Sequence, residues 1–224
     1  MNGLTTEYLA IALVGIGVVL IAERWVLPWL LRALLGVKSG RARPGHWRDR
    51  VELRYEKLKT FVWMFAWFKL RLDPMFRELP EMVAALPKIR TALDLGCGYG
   101  VVGSSLLEWN EDLKLYGMDP NPKRVRVASR AFGERGEVFG AGAPDFEVAR
   151  LPGRVDAVFI LDVIHFLSES ALALTLRRIR ARLNEGGHLF LRAPMPPAGF
   201  GSLTWHDVRD SSPSHRVVCV LSHG

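Results

Sequence analysis

Hydrophobic and polar positions divide this chain into three regimes. The first runs from Leu4 to Ala22, about 19 residues interrupted only by Glu7, with YLAIALVGIGVVLIA (8–22) free of charge. A helix needs about 20 apolar residues to cross a bilayer, so this pattern predicts a membrane anchor, with a buried core helix as the alternative. A cleaved signal peptide is a poorer fit, because MNGLTTEY holds no Lys or Arg and Ile21-Ala22-Glu23 is a poor cleavage site. The second regime mixes Trp25, Trp29, Glu23, Arg24 and Arg32 with Leu and Val, a composition suited to the membrane–water boundary. The basic residues Lys38, Arg41, Arg43, Arg48 and Arg50 follow, opposed by Asp49. Positive charge beside a span stays on the cytoplasmic side, which predicts a single-pass protein with its C-terminal part in the cytoplasm. An aromatic run over 61–68 (FVWMFAWF), flanked by Lys57, Lys59, Lys69 and Arg71, is too short to span; membrane contact, cover for a site and plain packing all remain open for it.

In the third regime short β-type runs alternate with longer amphipathic segments. Strands are predicted over 91–95, 114–118, 137–140, 156–161 and 188–192, with helices over about 101–110, 121–134 and 168–184. Strands separated by helices of this length imply a mostly parallel α/β sheet with helices on both faces, a Rossmann-like fold. The expected organisation is an anchor over 1–37, a basic linker and aromatic-rich helical cap over 38–84, and a catalytic domain over 85–224. After Arg192 only about 32 residues remain, with Arg216–Leu221 able to form one strand and Leu203-Thr204-Trp205 to begin another. The sheet is therefore expected to be shortened at its C-terminus, and an unpaired edge would favour an oligomer.

Composition narrows the picture. Of 224 residues 49% are hydrophobic, which excludes a disordered chain, and the net charge of +7 points to an anionic partner. Much of that charge sits beside the apolar N-terminus, which favours anionic lipid headgroups. The two cysteines, Cys97 and Cys219, have no partners at metal-ligand spacing, so neither a disulfide framework nor a metal site is expected.

The chemistry concentrates in Asp94-Leu95-Gly96-Cys97-Gly98-Tyr99-Gly100, directly after the first strand and opening a helix. Glycines there let the backbone approach a ligand that any side chain would exclude. The spacing is G-x-G-x-G, with Val101 where the dinucleotide fingerprint has its third glycine. Asp119 closes the second strand about 19 residues later, where a carboxylate can accept both hydroxyls of a ribose. Together these predict an adenosine-containing ligand.

ALDLGCGYG followed by YGMDPNP resembles motif I and the acidic motif of the class I S-adenosylmethionine-dependent methyltransferases, and RVDAVFILDVIHFL and LNEGGHLFLR are similar to the family's fourth- and fifth-strand motifs. The resemblance implies S-adenosylmethionine as cofactor. Gly96, Gly98 and Gly100 would pass along its methionine part, Asp94 would hold its amino group, and Asp119 its ribose. Asp145 is the candidate for the adenine amino group, with Ala143 as the alternative occupant of that position. The sulfonium methyl is already activated, so the protein chiefly aligns a nucleophile with it. Asp162 and His165 follow the fourth strand and are the candidates for a general base, set against capping and packing roles respectively. Arg192 at the end of strand five invites either an anionic substrate or a surface salt bridge.

Leu161-Asp162-Val163-Ile164 stands where amino-methylating nucleic-acid enzymes carry Asp/Asn-Pro-Pro-aromatic, so nucleic acid is disfavoured despite the charge. The expected acceptor is a membrane lipid or another hydrophobic small molecule. A non-catalytic membrane scaffold and a nicotinamide-dependent oxidoreductase are the alternatives.

Overall fold

The structure, a computed structural model, describes residues 45–84, 89–146 and 150–192, the backbone of 216–219, and the isolated positions 26 and 30. The expected anchor over 1–37 lies outside these residues, apart from positions 26 and 30. Among the described residues no helix is long and apolar enough to cross a membrane.

The chain divides into two compact units between Trp67 and Phe68. In the first, α1 spans Trp47–Glu56, its N-terminus capped by His46, whose Nδ1 accepts the Arg48 N–H at 3.3 Å. Helix α2, Thr60–Leu72, begins in the first unit and ends in the second. Phe61, Phe65, Phe68 and Leu72 recur along it at intervals of three and four residues, and all four are exposed. Helix α3, Met75–Ala84, belongs to the second unit, with Met75, Phe76 and Leu79 buried.

The second unit is built on six parallel strands: β1 Thr91–Leu95, β2 Lys114–Met118, β3 Gly136–Phe139, β4 Val155–Leu161, β5 Leu183–Arg192 and β6 Arg216–Cys219. Their order is β3-β2-β1-β4-β5-β6, so the direction of winding reverses between β1 and β4. Helices α4 (Val101–Trp109), α5 (Pro122–Phe132) and α6 (Glu169–Arg182) form the crossovers. The strand within 216–221 therefore exists and pairs parallel with β5; the segment 203–205 lies outside the described residues. β5 starts earlier than the pattern predicts, because Leu183 already pairs with Val155 and Gly186, at φ 71°, takes up the shift in register before His188 meets Ala157.

The central strands read as continuous apolar runs because both faces are covered. Leu93, Leu95, Val158, Ile160, Leu189 and Leu191 lie in one core cluster with Phe146 and Ile179. Across β4 and β5, Phe159 and Phe190 stack with ring centroids 4.4 Å apart. At the opposite end of the strands from the glycine loop, Asp156 fixes β1 beside β4. Its Oδ2 accepts the N–H groups of Arg90 and Thr91 at 2.9 and 2.8 Å, and Oδ1 accepts the Asn184 amide at 2.7 Å. Partial burial works to raise its pKa, but these hydrogen bonds outweigh that and leave it below the usual value.

Packing between α5 and the sheet depends on Phe132, which is 1% exposed. A side chain added at Gly100, Gly103, Gly117 or Gly136 would collide with its ring or Cβ. Four positions from two strands, a loop and a helix are thus emptied to hold one aromatic side chain. That close seat brings α5 and α4 down against β2 and sets the height of the loop that leaves β1.

Candidate functional site

The strand order reverses between β1 and β4, and open α/β sheets bind their ligands in the crevice outside the carboxyl ends of the strands at such a point. The loop Gly96–Gly100 runs along it. Gly96 and Cys97 both donate their N–H to Met118 O at 2.8 Å, and Gly100 N–H closes a turn onto Cys97 O at 2.8 Å. Gly96 and Gly100 sit at φ 84° and 81°, in the left-handed region that disfavours a side chain. A side chain on Gly96 would also strike Val163, so the loop is pressed directly against the segment after β4. At Gly98 an added Cβ would meet nothing within 4 Å. The backbone there is bare toward open space, as a cradle for a closely approaching ligand requires.

Asp119 is 3% exposed and holds this loop from the end of β2. Its Oδ2 accepts the Gly98 N–H at 3.1 Å, and its Oδ1 accepts the Asn121 N–H at 2.8 Å. Arg124 Nη1 stands 3.6 Å from Oδ2, with its guanidinium 5.9 Å from the centre of the Tyr99 ring. Tyr99 is thereby held at the rim by α5.

Asp94, in β1, is also 3% exposed, and its Oδ2 is buried with no hydrogen-bond partner. Burial raises its pKa to about 7, against the lowering influence of the Gly103 N–H and the charge of Lys69. An orphaned carboxylate oxygen in such a position costs stability unless a cationic donor completes it. Bare glycine backbone, a buried carboxylate with one oxygen unpartnered and a second carboxylate at the end of β2 fit the methionine and ribose parts of S-adenosylmethionine.

Across the crevice, Asp162 ends β4 at φ 59°, and its N–H donates to Arg192 O at 3.0 Å. Its carboxylate lies between two cations, 3.6 Å from Lys69 Nζ and 3.3 Å from Arg192 Nε. Arg192 Nη1 donates to both oxygens of Asp73 at 2.7 and 2.9 Å, and Lys69 Nζ donates to Asp73 Oδ2 at 3.2 Å. Lys69, Asp73, Asp162 and Arg192 therefore form a lattice of alternating charge joining the end of α2 to the ends of β4 and β5. This geometry gives Asp162 a holding role between two cations. It also makes Arg192, 11% exposed, a member of a part-buried ion-pair network and not a surface salt bridge.

His165 lies in the 3-10 turn Ile164–Phe166, exposed, with its ring 4.0 Å from that of Phe166. Phe166 itself is 78% exposed. Asp145 does not join the site. Its side chain is 83% exposed and paired with Arg178 of α6 at 2.6 Å, while Arg178 also donates to Pro144 O at 2.7 Å. Ala143 packs partly buried against the core, and of this loop Gly142 is the residue that approaches Pro120, beside Asp119.

Residues 93–189 match a family model described as a methyltransferase domain. The chain has no match among curated proteins. Among solved structures it is similar to DesVI of Streptomyces venezuelae, at 16% identity and a TM-score of 0.50, over 61% of this chain and 58% of that one. It is also similar to S-adenosylmethionine-bound CalS10, an amino pentose methyltransferase from Micromonospora echinaspora (19% identity, TM-score 0.46, 69% and 54% covered). A third similar structure is the StiE O-methyltransferase segment 961–1257 (25% identity, TM-score 0.41, 56% and 49% covered). The chain spans about half the length of these three structures. The second unit thus has a Rossmann-like fold, and residues 93–189 within it are similar to a methyltransferase domain.

Proposed function

We propose that this protein transfers a methyl group from S-adenosylmethionine to a small-molecule or lipid-like acceptor at a membrane surface. The observation that carries the reading is the convergence of three features at the carboxyl ends of β1 and β2. These are the unpartnered Asp94 oxygen, the bare backbone at Gly98 and the Asp119 carboxylate tied to it.

When bound, the cofactor supplies an activated sulfonium methyl. The protein's work is to hold it and to admit an acceptor in line while excluding water. Asp94 holds the amino group, Asp119 the ribose hydroxyls, and the Gly96–Gly100 loop the stretch between them. His165 is the exposed group beyond β4 able to accept a proton at a ring nitrogen where the acceptor is a hydroxyl or phenol. An amine acceptor that is already neutral needs no such base.

Three features support a hydrophobic acceptor near lipid: the exposed Phe166, the exposed Phe68 and Leu72 on either side of Lys69, and the uncharged run over 8–22. Large apolar side chains left in water in this way mark surfaces that meet lipid or apolar ligands. The basic residues at 38–50 add attraction to anionic headgroups.

Calorimetric titration of S-adenosylmethionine into the detergent-solubilised full chain, beside Asp119→Ala and an NADH control, tests the cofactor. Micromolar binding that the variant loses is expected; no binding by folded protein removes the enzyme reading. Transfer of labelled methyl to extracted membrane lipids and quinones, measured with and without anionic vesicles, then tests the acceptor. Transfer only to water-soluble acceptors, unaffected by vesicles, defeats the membrane part of the proposal.

A further inference from the structure

The Lys69–Asp73–Asp162–Arg192 lattice has two cations with unequal commitments. Arg192 meets three carboxylate oxygens, two on Asp73 and one on Asp162, and is 11% exposed. Lys69 is 23% exposed and reaches its two carboxylates at 3.2 and 3.6 Å. An ammonium has three N–H donors on a flexible stem, so a further acceptor can be served without dismantling the lattice. Lys69 also links the lattice to the segment that packs on the glycine loop. Asp162, which it contacts, precedes the Val163 that packs on Gly96, and Lys69 is the cation whose charge acts on the buried Asp94.

The methionine end of S-adenosylmethionine carries an ammonium and a carboxylate on one carbon, so whatever cation receives the carboxylate must lie near the carboxylate that receives the ammonium. Resting on the cofactor reading above, we infer that Lys69 receives the cofactor's carboxylate while Asp94 receives its ammonium, so that the pair selects an intact amino-acid end.

Decarboxylated S-adenosylmethionine separates this role from general support, because it keeps the ammonium, sulfonium, ribose and adenine and lacks only the carboxylate. Its affinity and that of S-adenosylmethionine are measured calorimetrically on the solubilised full chain, wild type and Lys69→Gln, with unfolding midpoints recorded alongside. Wild type is expected to prefer the intact cofactor by about 30-fold, the size of effect typical of losing one partner of a desolvated charge pair. In Lys69→Gln that preference collapses to within about threefold, through weaker binding of the intact cofactor alone. Lys69→Arg, which keeps the charge, restores most of it, and Lys69→Met, which keeps the stem and removes the charge, takes the place of the glutamine variant where that folds poorly. Equal weakening of both ligands, or a preference that survives in Lys69→Gln, overturns the inference while leaving the cofactor reading intact. Failure of wild type to bind either ligand overturns the cofactor reading, and this assignment with it.

Discussion

The Asp119 carboxylate accepts the Gly98 N–H at 3.1 Å, so the residue that closes β2 also shapes the loop that leaves β1. One side chain thus fixes the cradle and is the one proposed to hold the ribose, so substitution should affect stability and binding together. Asp119→Ala leaves the Gly98 and Asn121 N–H groups without their acceptor and takes away the carboxylate proposed to hold the ribose. It is expected to weaken S-adenosylmethionine binding by about 100-fold and to lower stability by roughly 1–3 kcal/mol. Asp119→Asn keeps one accepting oxygen and should fall between the two in both readouts. Calorimetry and urea denaturation of the three proteins measure this. Equal binding by wild type and Asp119→Ala would remove Asp119 from the site.

The cage around Phe132 makes a prediction about packing alone. In Gly103→Ala the new methyl meets the Phe132 ring and Leu115 Cδ2 inside a full core. Overpacking of this kind costs typically ~1–3 kcal/mol. Phe132→Leu in the same chain should recover part of the loss by freeing volume at that point, although alone it is destabilising. The test is whether the double variant is more stable than the sum of the single effects predicts.

Asp94 makes stability depend on pH in an unusual direction for a carboxylate. Its native pKa is about 7, against 3.8 for the ordinary group, so between those values the folded protein holds a proton that the unfolded chain has lost. The stability tied to that proton is complete below about pH 4 and disappears as pH rises through 7. Asp94→Asn, neutral throughout, should therefore gain on wild type as pH climbs from 5 to 8. The gain is on the order of a few kcal/mol, since each tenfold difference in proton affinity between the folded and unfolded chain is worth ~1.4 kcal/mol. Binding responds oppositely: an ammonium ligand favours the ionised form, so wild-type affinity for S-adenosylmethionine should rise from pH 5.5 to 7.5. Denaturation curves at four pH values decide the first point. A constant difference between the two proteins would show that Asp94 is ionised throughout.

The parts legible in the sequence are those whose causes are local. Strands over 91–95 and 114–118 coincide with β1 and β2, and the helix expected over 101–110 is α4, because apolar runs and periodicity are short-range signals. The glycine loop and Asp119 are legible in the same way: each is marked by a residue type with few other reasons to stand just after a strand. Asp145 misleads because its neighbour in space, Arg178, lies 33 residues away. The charge lattice is hidden for the same reason, with Asp73 and Arg192 separated by 119 positions and each ordinary in its own surroundings. Gly117 and Gly136 look like weak points within strands, and only the position of Phe132 explains them.

The Asp73–Arg192 pair decides whether the end of α2 is held to the sheet by charge or by packing. Both side chains are about one-tenth exposed, so removing one takes the main partner from the other in a poorly solvated place. Arg192→Met leaves Asp73 with Lys69 and takes one cation from Asp162, and should cost roughly 2–4 kcal/mol, somewhat below the range for a fully buried pair. Asp73→Asn should cost a similar amount, since Arg192 would keep only its 3.3 Å approach to Asp162. The double variant should lie well short of the sum, because the penalty for a stranded charge disappears when both go. If the lattice also places Lys69 for the cofactor, the double variant will fold yet bind S-adenosylmethionine about tenfold more weakly than wild type, a loss of about 1.4 kcal/mol. Near-wild-type affinity in a stable double variant would mean that packing of Met75, Phe76 and Leu79 seats this region without help from charge.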